Sequence, residues 1–265
     1  MVEDTGRDTD EAVDIVSRRA SVIDCLMDGP KYNRDIRDAL DVSRSTAYKA
    51  TSELERLQLV RRGDDGHELT VFGRLLYDEY RRFRDRADDV CRTGGLLAVL
   101  PPDVEIPFDV VKDAEISLSK RHAPNEPVRE IERLVEAASS VNGTAPVVLP
   151  RYVELFSRQV LSGELEAELV WERPVFEYLI TDYEEDFTAA LEIDDLRGWV
   201  TDAELPYGLL VVEEPTQEIA IIVYDDTGDI EGVLINDSDR AYAWGRDRWE
   251  EYLSSATRPV SDTER

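Results

Sequence analysis

The sequence predicts a chain of mixed α+β and α/β class: a small helical unit closed by a β-hairpin, then a larger α/β domain on a mixed sheet. Three observations predict it. Apolar residues recur at helical spacing in the first third and lead into a Gly-Asp-Asp-Gly turn between two short strand-like runs. From residue 115 onward, strand-like and helix-like segments alternate. The charge divides in the same region: residues 1–92 hold 17 basic and 21 acidic side chains, whereas residues 93–265 hold 14 and 38. A length of 265 residues suits two modest cores.

A first helix is expected over 11–28, with Ile15, Val16, Val22, Ile23, Leu26 and Met27 on one face. Asp28-Gly29-Pro30 ends it, because glycine suits the position past a helix end and proline often follows. A short helix over 32–40 turns Ile36, Ala39 and Leu40 inward. After Asp41-Val42, Ser43 can cap a third helix over 44–58 by accepting a free backbone N–H. Ala47, Ala50, Thr51, Leu54 and Leu57 line the inner face of that helix, which leaves Arg44, Ser45, Tyr48, Lys49 and Ser52 outside. The strands 59–62 and 67–70 pair across Gly63-Asp64-Asp65-Gly66. A helix over 73–92, with Thr70 as its cap, carries Leu76, Tyr80, Phe83, Ala87 and Val90 as a two-heptad seam. Such a seam serves either a dimer or packing within the domain. Residues 11–92 then form the first domain, 93–112 a linker containing two Gly and three Pro, and 113–256 the α/β domain. Residues 1–10 and 257–265 are expected to be disordered tails.

In the second domain, strands are expected at 115–120, 145–149, 165–171 and 196–200, and in two hairpins covering 208–212, 218–224 and 232–235. Helices are expected at 127–140, 151–161, 174–191 and 239–254. Strand–helix alternation favours parallel pairing and hairpins are antiparallel, so the sheet is mixed.

The net charge is −28, and arginine far outnumbers lysine. Carboxylates in this excess keep a protein soluble in molar salt, so a salt-adapted source is expected. No apolar run approaches the roughly 20 residues needed to cross a bilayer. The acidic, polar start does not resemble a secretory signal. A cytoplasmic location and no membrane partner are therefore expected. Cys25 and Cys91 lie outside any CxxC pair, and there are two histidines, so no Cys/His metal site is expected. Both cysteines are read as small core hydrophobes. Residues 30–62 hold 8 basic and 5 acidic side chains, a basic island on an acidic chain. Such asymmetry marks a nucleic-acid contact beside a solvating body.

Helix, helix, turn, helix, hairpin is the order of a winged helix-turn-helix, whose recognition helix enters the major groove of double-stranded DNA. Arg44 could pair with guanine, and Ser45 and Thr46 could meet phosphates or bases. Tyr48 and Lys49 extend the same face. Arg61, Arg62 and His67 on the hairpin could reach phosphates or a minor groove. Lys31 and Asn33 lie where a helix N-terminus favours a phosphate. At about 1 M salt the Debye length is about 3 Å and counterion release weakens, so direct contacts, shape and dimeric binding must carry affinity.

The stretch 27–80 resembles the winged-helix domain of archaeal regulators, and 207–252 resembles the effector domain of the methanogenesis-regulator (FilR-type) family, which is widespread in haloarchaea. In segment order the second domain is also similar to the phospholipase-D-like sensor domain of TrmB-like regulators, an analogy of fold alone. The resemblance implies transcriptional regulation by a homodimer and leaves the effector open. Phospholipase D chemistry needs paired His-x-Lys-x4-Asp motifs, but His122 is followed by Ala123 and Pro124. No enzyme activity, cofactor or metal is expected.

Ligands of such sheets bind beyond the carboxyl ends of strands. Three expected ends carry Lys120-Arg121-His122, Arg151-Tyr152 and Trp171-Glu172-Arg173. They could hold a small anionic metabolite, or their cations could simply pair with nearby carboxylates. Trp199 and Trp244 are read as packing residues, and the acid-rich segments 182–186 and 194–195 as solvated surface. The expected function is a DNA-binding regulator whose second domain senses a small molecule. The alternative is a regulator or adaptor whose second domain mediates only assembly.

Overall fold

The computed structural model describes residues 8–191, 193 and 195–258. The readings of 1–7 and 259–265 as tails, and of Asp194 and the side chains at 184–186 as solvated surface, fall outside the described residues. The chain divides into two compact units between Asp88 and Asp89.

In the first unit, α1 (Thr9–Arg18) and α2 (Ala20–Met27) replace the single helix expected over 11–28. The break at Arg19 (φ −113°, ψ 14°) lets Val16 on one side and Ile23 and Leu26 on the other bury in the same core. The Arg19 guanidinium fixes the break by donating to Glu53 (Nε–Oε2 2.8 Å). Next come α3 (Asn33–Leu40) and α4 (Arg44–Arg56), joined through Asp41 in the left-handed region at φ 52°. Ser43 caps α4 as expected, its Oγ accepting from Thr46 N at 3.1 Å. Ile36, Ala47, Ala50 and Leu54 bury together, whereas Ala39, expected inward, is exposed. The hairpin is β1 (Val60–Gly63) with β2 (Gly66–Leu69). α5 (Val71–Leu97) then begins with Thr70 Oγ1 accepting from Gly73 N at 2.9 Å. Leu76 and Tyr80 of its seam pack on the core of the unit, while Phe83 is 68% exposed and Val90 is also exposed. Cys25 is half-buried and Cys91 exposed, so Cys91 is not a core residue.

The second unit corrects the linker expected at 93–112. Leu96 at the end of α5 and Val110 and Val111 on α6 (Phe108–Val111) are buried in its core. Asn236 pins this segment, its Nδ2 donating to Val110 O (2.9 Å) and Lys112 O (2.8 Å). The elements that follow are β3 (Glu115–Leu118), α7 (Glu126–Ala137), β4 (Ser140–Ala145), α8 (Pro150–Leu161) and β5 (Glu166–Glu172). After them come α9 (Arg173–Asp182), α10 (Glu184–Leu191), β6 (Leu196–Thr201), β7 (Gly208–Glu214), β8 (Glu218–Tyr224), β9 (Ile230–Asn236) and α11 (Asp239–Ser255). The sheet order is β3-β9-β8-β7-β4-β5-β6, parallel across β4-β5-β6 and antiparallel elsewhere. The expected mixed sheet is thus the one observed.

Helices cover both faces, so β8 is buried on both: Ala220 and Ile222 enter one core, Ile219, Ile221 and Val223 the other. Two further expectations are corrected. The strand expected at 145–149 lies at 140–145, because Gly143 lets β7 approach until an added Cβ would sit 2.7 Å from the Leu209 carbonyl oxygen. The helix expected over 174–191 is interrupted at Tyr183.

Candidate nucleic-acid interface

Side chains from three elements of the first unit ring one cleft of about 610 Å³: Tyr32 before α3, Arg34 and Arg37 on α3, Arg44 on α4 and Arg62 on β1. α4 faces it because Ala47, Ala50 and Leu54 spend the opposite side of the helix on the core. Its outer side carries Arg44, Ser45, Thr46, Tyr48 and Lys49, all exposed, with Tyr48 at 65%. The Ser43 hydroxyl lies 2.8 Å from both the Ser45 and Thr46 hydroxyls, which keeps this first turn ordered. Lys49 stands 4.0 Å from Glu53. The hydrogen bond from Arg19 holds the Glu53 carboxyl below its usual range, so it is anionic near neutral pH.

The hairpin is tied to the start of α3. Tyr32 donates its hydroxyl to Asp64 O at 3.1 Å. Lys31 and His67 exchange two backbone hydrogen bonds of 3.0 and 2.8 Å. Gly66 sits at φ +119°, and a Cβ there would meet the Lys31 carbonyl at 2.5 Å, so the turn requires glycine. The two-residue period of a strand puts Arg61 and Arg62 on opposite faces. Arg62 joins the cleft, while Arg61 pairs with Glu68 at 2.7 Å.

Charge is unevenly free around the cleft. Arg34 pairs with Asp35 (3.2 Å) and Arg37 with Asp38 (2.6 Å), whereas Arg44 and Arg62 have no carboxylate partner among the described residues. Arg34 and Arg37 are not among the contacts expected from the sequence. Their i,i+3 spacing directly after Lys31 and Asn33 was the available signal.

Asn33 and His67 also line the cleft but are engaged within the unit. His67 is 7% exposed, with Nδ1 3.1 Å from Glu55 Oε1. Asn33 is half-buried and accepts from Thr51 Oγ1 at 3.1 Å, joining α3 to α4. Lys31 is half-buried.

In the second unit the expected anion-binding cations do not converge. Lys120 pairs with Glu126 at 3.1 Å, Arg151 with Glu132 at 2.8 Å and Arg173 with Asp202 at 3.0 Å, while Arg121 is exposed. Local carboxylates claim these side chains because the domain is so acidic. Tyr152 and Trp171 instead line a largely apolar cavity that no Lys or Arg among the described residues borders. Among the described residues no cluster of three or more His, Cys, Asp or Glu is placed to hold a metal ion. No helix among them is long and apolar enough to cross a membrane.

Residues 8–91 match the HVO_A0261 N-terminal domain family, and residues 124–255 match the family described as the middle domain of methanogenesis regulatory protein FilR1. No curated protein matches the chain. Among solved structures, the archaeal chromatin protein TrmBL2 is 12% identical with a TM-score of 0.43, over 95% of this chain and 100% of that one. NucT from Helicobacter pylori is 7% identical with a TM-score of 0.43, over 55% of this chain and 98% of that one. The phospholipase D family member Nuc from Salmonella typhimurium is 10% identical with a TM-score of 0.39, over 56% of this chain and 98% of that one. Likenesses this remote carry no functional argument. The family matches are more specific, since one falls on each compact part of the chain. In order along the chain, the matches place an HVO_A0261-type N-terminal domain ahead of a domain of the FilR1 middle type.

Proposed function

We propose that the chain is a DNA-binding transcriptional regulator in which the first unit acts as a winged helix on duplex DNA and the second senses a small molecule. The observation that carries the DNA reading is the exposed, polar face of α4 beside a cleft holding the unpaired Arg44 and Arg62. With the start of α4 in a major groove, Arg44 reaches a guanine edge, and Tyr48 and Lys49 follow the same groove wall. Arg34 and Arg37 lie where α3 crosses the backbone, and Arg62 where the hairpin meets a phosphate or the minor groove. The match of residues 124–255 to a domain of a regulatory protein favours this use of the surface.

A homodimer joined through the exposed Phe83 and Val90, one heptad apart on α5, supplies two half-site contacts. The chain works in a salt-rich cytoplasm, where its net charge of −28 maintains solubility.

Fluorescence anisotropy with duplex from the chain's own upstream region, in molar KCl, tests the reading. Arg44→Ala is expected to lose about 1–3 kcal/mol and to relax sequence preference, and Tyr48→Ala to weaken binding. Equal binding by wild type and both variants would show that α4 is not the reading surface.

A further inference from the structure

Parallel strands β4 and β5 end at a cavity of about 80 Å³ beneath the loop 146–149 and the first turns of α8. Its walls are mostly apolar or aromatic, with Ser157 and the hydroxyl-bearing Tyr152 and Tyr224 among them. Trp171 packs edge-on against Phe187 with centroids 5.3 Å apart, and Leu210 and Ile222 come from the antiparallel half of the sheet. Thr144 also borders it, but its hydroxyl is spent on the backbone, accepting from Leu209 N at 3.0 Å. The Tyr152 hydroxyl differs: it is buried and has no hydrogen-bond partner among the described residues. A buried hydroxyl without a partner is destabilising, and a core gains nothing by keeping one. Burial also raises Tyr152 well above the usual tyrosine range, so it stays protonated and able to donate.

We propose that this cavity binds a small uncharged molecule with an apolar body and one carbonyl or hydroxyl oxygen, which accepts a hydrogen bond from Tyr152. The proposal rests on the second unit being the sensing part and names the class of its effector. Size limits that class. The space is well below the roughly 150 Å³ of a cavity known to admit benzene, so a short-chain compound of about four or five heavy atoms fits and an aromatic ring or a sugar does not. Charge limits it too. An anion would lose its hydration with no cation at hand, because Arg151 and Arg173 are outside the cavity and paired.

Calorimetry and ligand-observed NMR on the full chain, with acetone and propionamide against acetate and propionate, test the proposal. The neutral probes are expected to bind and the carboxylates not to bind. Tyr152→Phe should weaken neutral-probe binding about 3- to 10-fold. The same variant should melt at or above the wild-type temperature without ligand, which a merely structural hydroxyl would not allow. Equal or tighter binding of the carboxylates, no binding of either neutral probe, or unchanged affinity in Tyr152→Phe would each overturn it. DNA binding by the same samples separates the two claims. If DNA binds and the probes do not, the cavity assignment fails alone. If the probes bind and DNA does not, the DNA reading fails alone.

Discussion

Arg61 and Arg62 are adjacent in sequence, yet the structure gives them opposite electrostatic roles, and salt dependence can separate them. Arg62 faces the cleft with no carboxylate partner among the described residues, whereas Arg61 is held at 2.7 Å by Glu68 on the other face of the hairpin. Each phosphate neutralised on duplex DNA contributes about 0.9 to the slope of log K against log salt. Arg62→Ala should therefore flatten the slope by about 0.9, so that a roughly fivefold rise in KCl costs the wild type about fourfold more affinity than the variant. Glu68→Gln should do the reverse: it frees Arg61, steepens the slope by up to about 0.9 and tightens binding at low salt. The assay is anisotropy of a labelled duplex across a KCl series, with the slope as the readout. An unchanged slope in Arg62→Ala, or weaker binding by Glu68→Gln, would refute the assignment of free and masked charge.

Ser43→Ala removes the cap on α4 and should cost about 1 kcal/mol in urea denaturation; an unchanged midpoint would show that the 3.1 Å bond to Thr46 N contributes nothing. Because the Arg19 hydrogen bond depresses the Glu53 pKa in the folded state, this pair stabilises the fold above the unfolded-state pKa, and the contribution fades as pH falls through the folded value. The stability gap between wild type and Glu53→Gln should thus be full near neutral pH and close below about pH 4, as followed by denaturation at stepped pH. Phe83→Asp should shift the light-scattering mass from dimer to monomer, and a wild type that is monomeric at every concentration would contradict the α5 interface.

The first unit was largely legible because its signals are local. Ser43 followed by Ala47, Ala50 and Leu54 marks a capped helix with a narrow buried stripe, and Gly63-Asp64-Asp65-Gly66 marks a hairpin. The break at Arg19 was not legible, because no Gly or Pro announces it; its partner Glu53 is 34 residues away. Residues 93–112 have the composition of a linker, but Val110 buries against strands more than ninety residues later in sequence, where Asn236 binds its carbonyl. The Asn142-Gly143 pair looks like a turn until β7 is brought against it. The site shows the same division. Outward residues of α4 follow from helical spacing, whereas the burial of His67 depends on its bridge to Lys31. The cations at the strand ends were visible in sequence, but the carboxylates that neutralise them belong to other elements, as Asp202 does for Arg173.

The most direct measurement compares two double variants that each remove two positive charges from the full chain. Arg44→Ala/Arg62→Ala alters the cleft, and Arg133→Ala/Arg158→Ala alters exposed, carboxylate-paired arginines of the second unit. With duplex from the chain's own upstream region, the first pair should lose at least about 30-fold in affinity and the second should stay within about twofold of wild type. Equal losses, or a loss confined to the second pair, would mean that DNA is not held by this face.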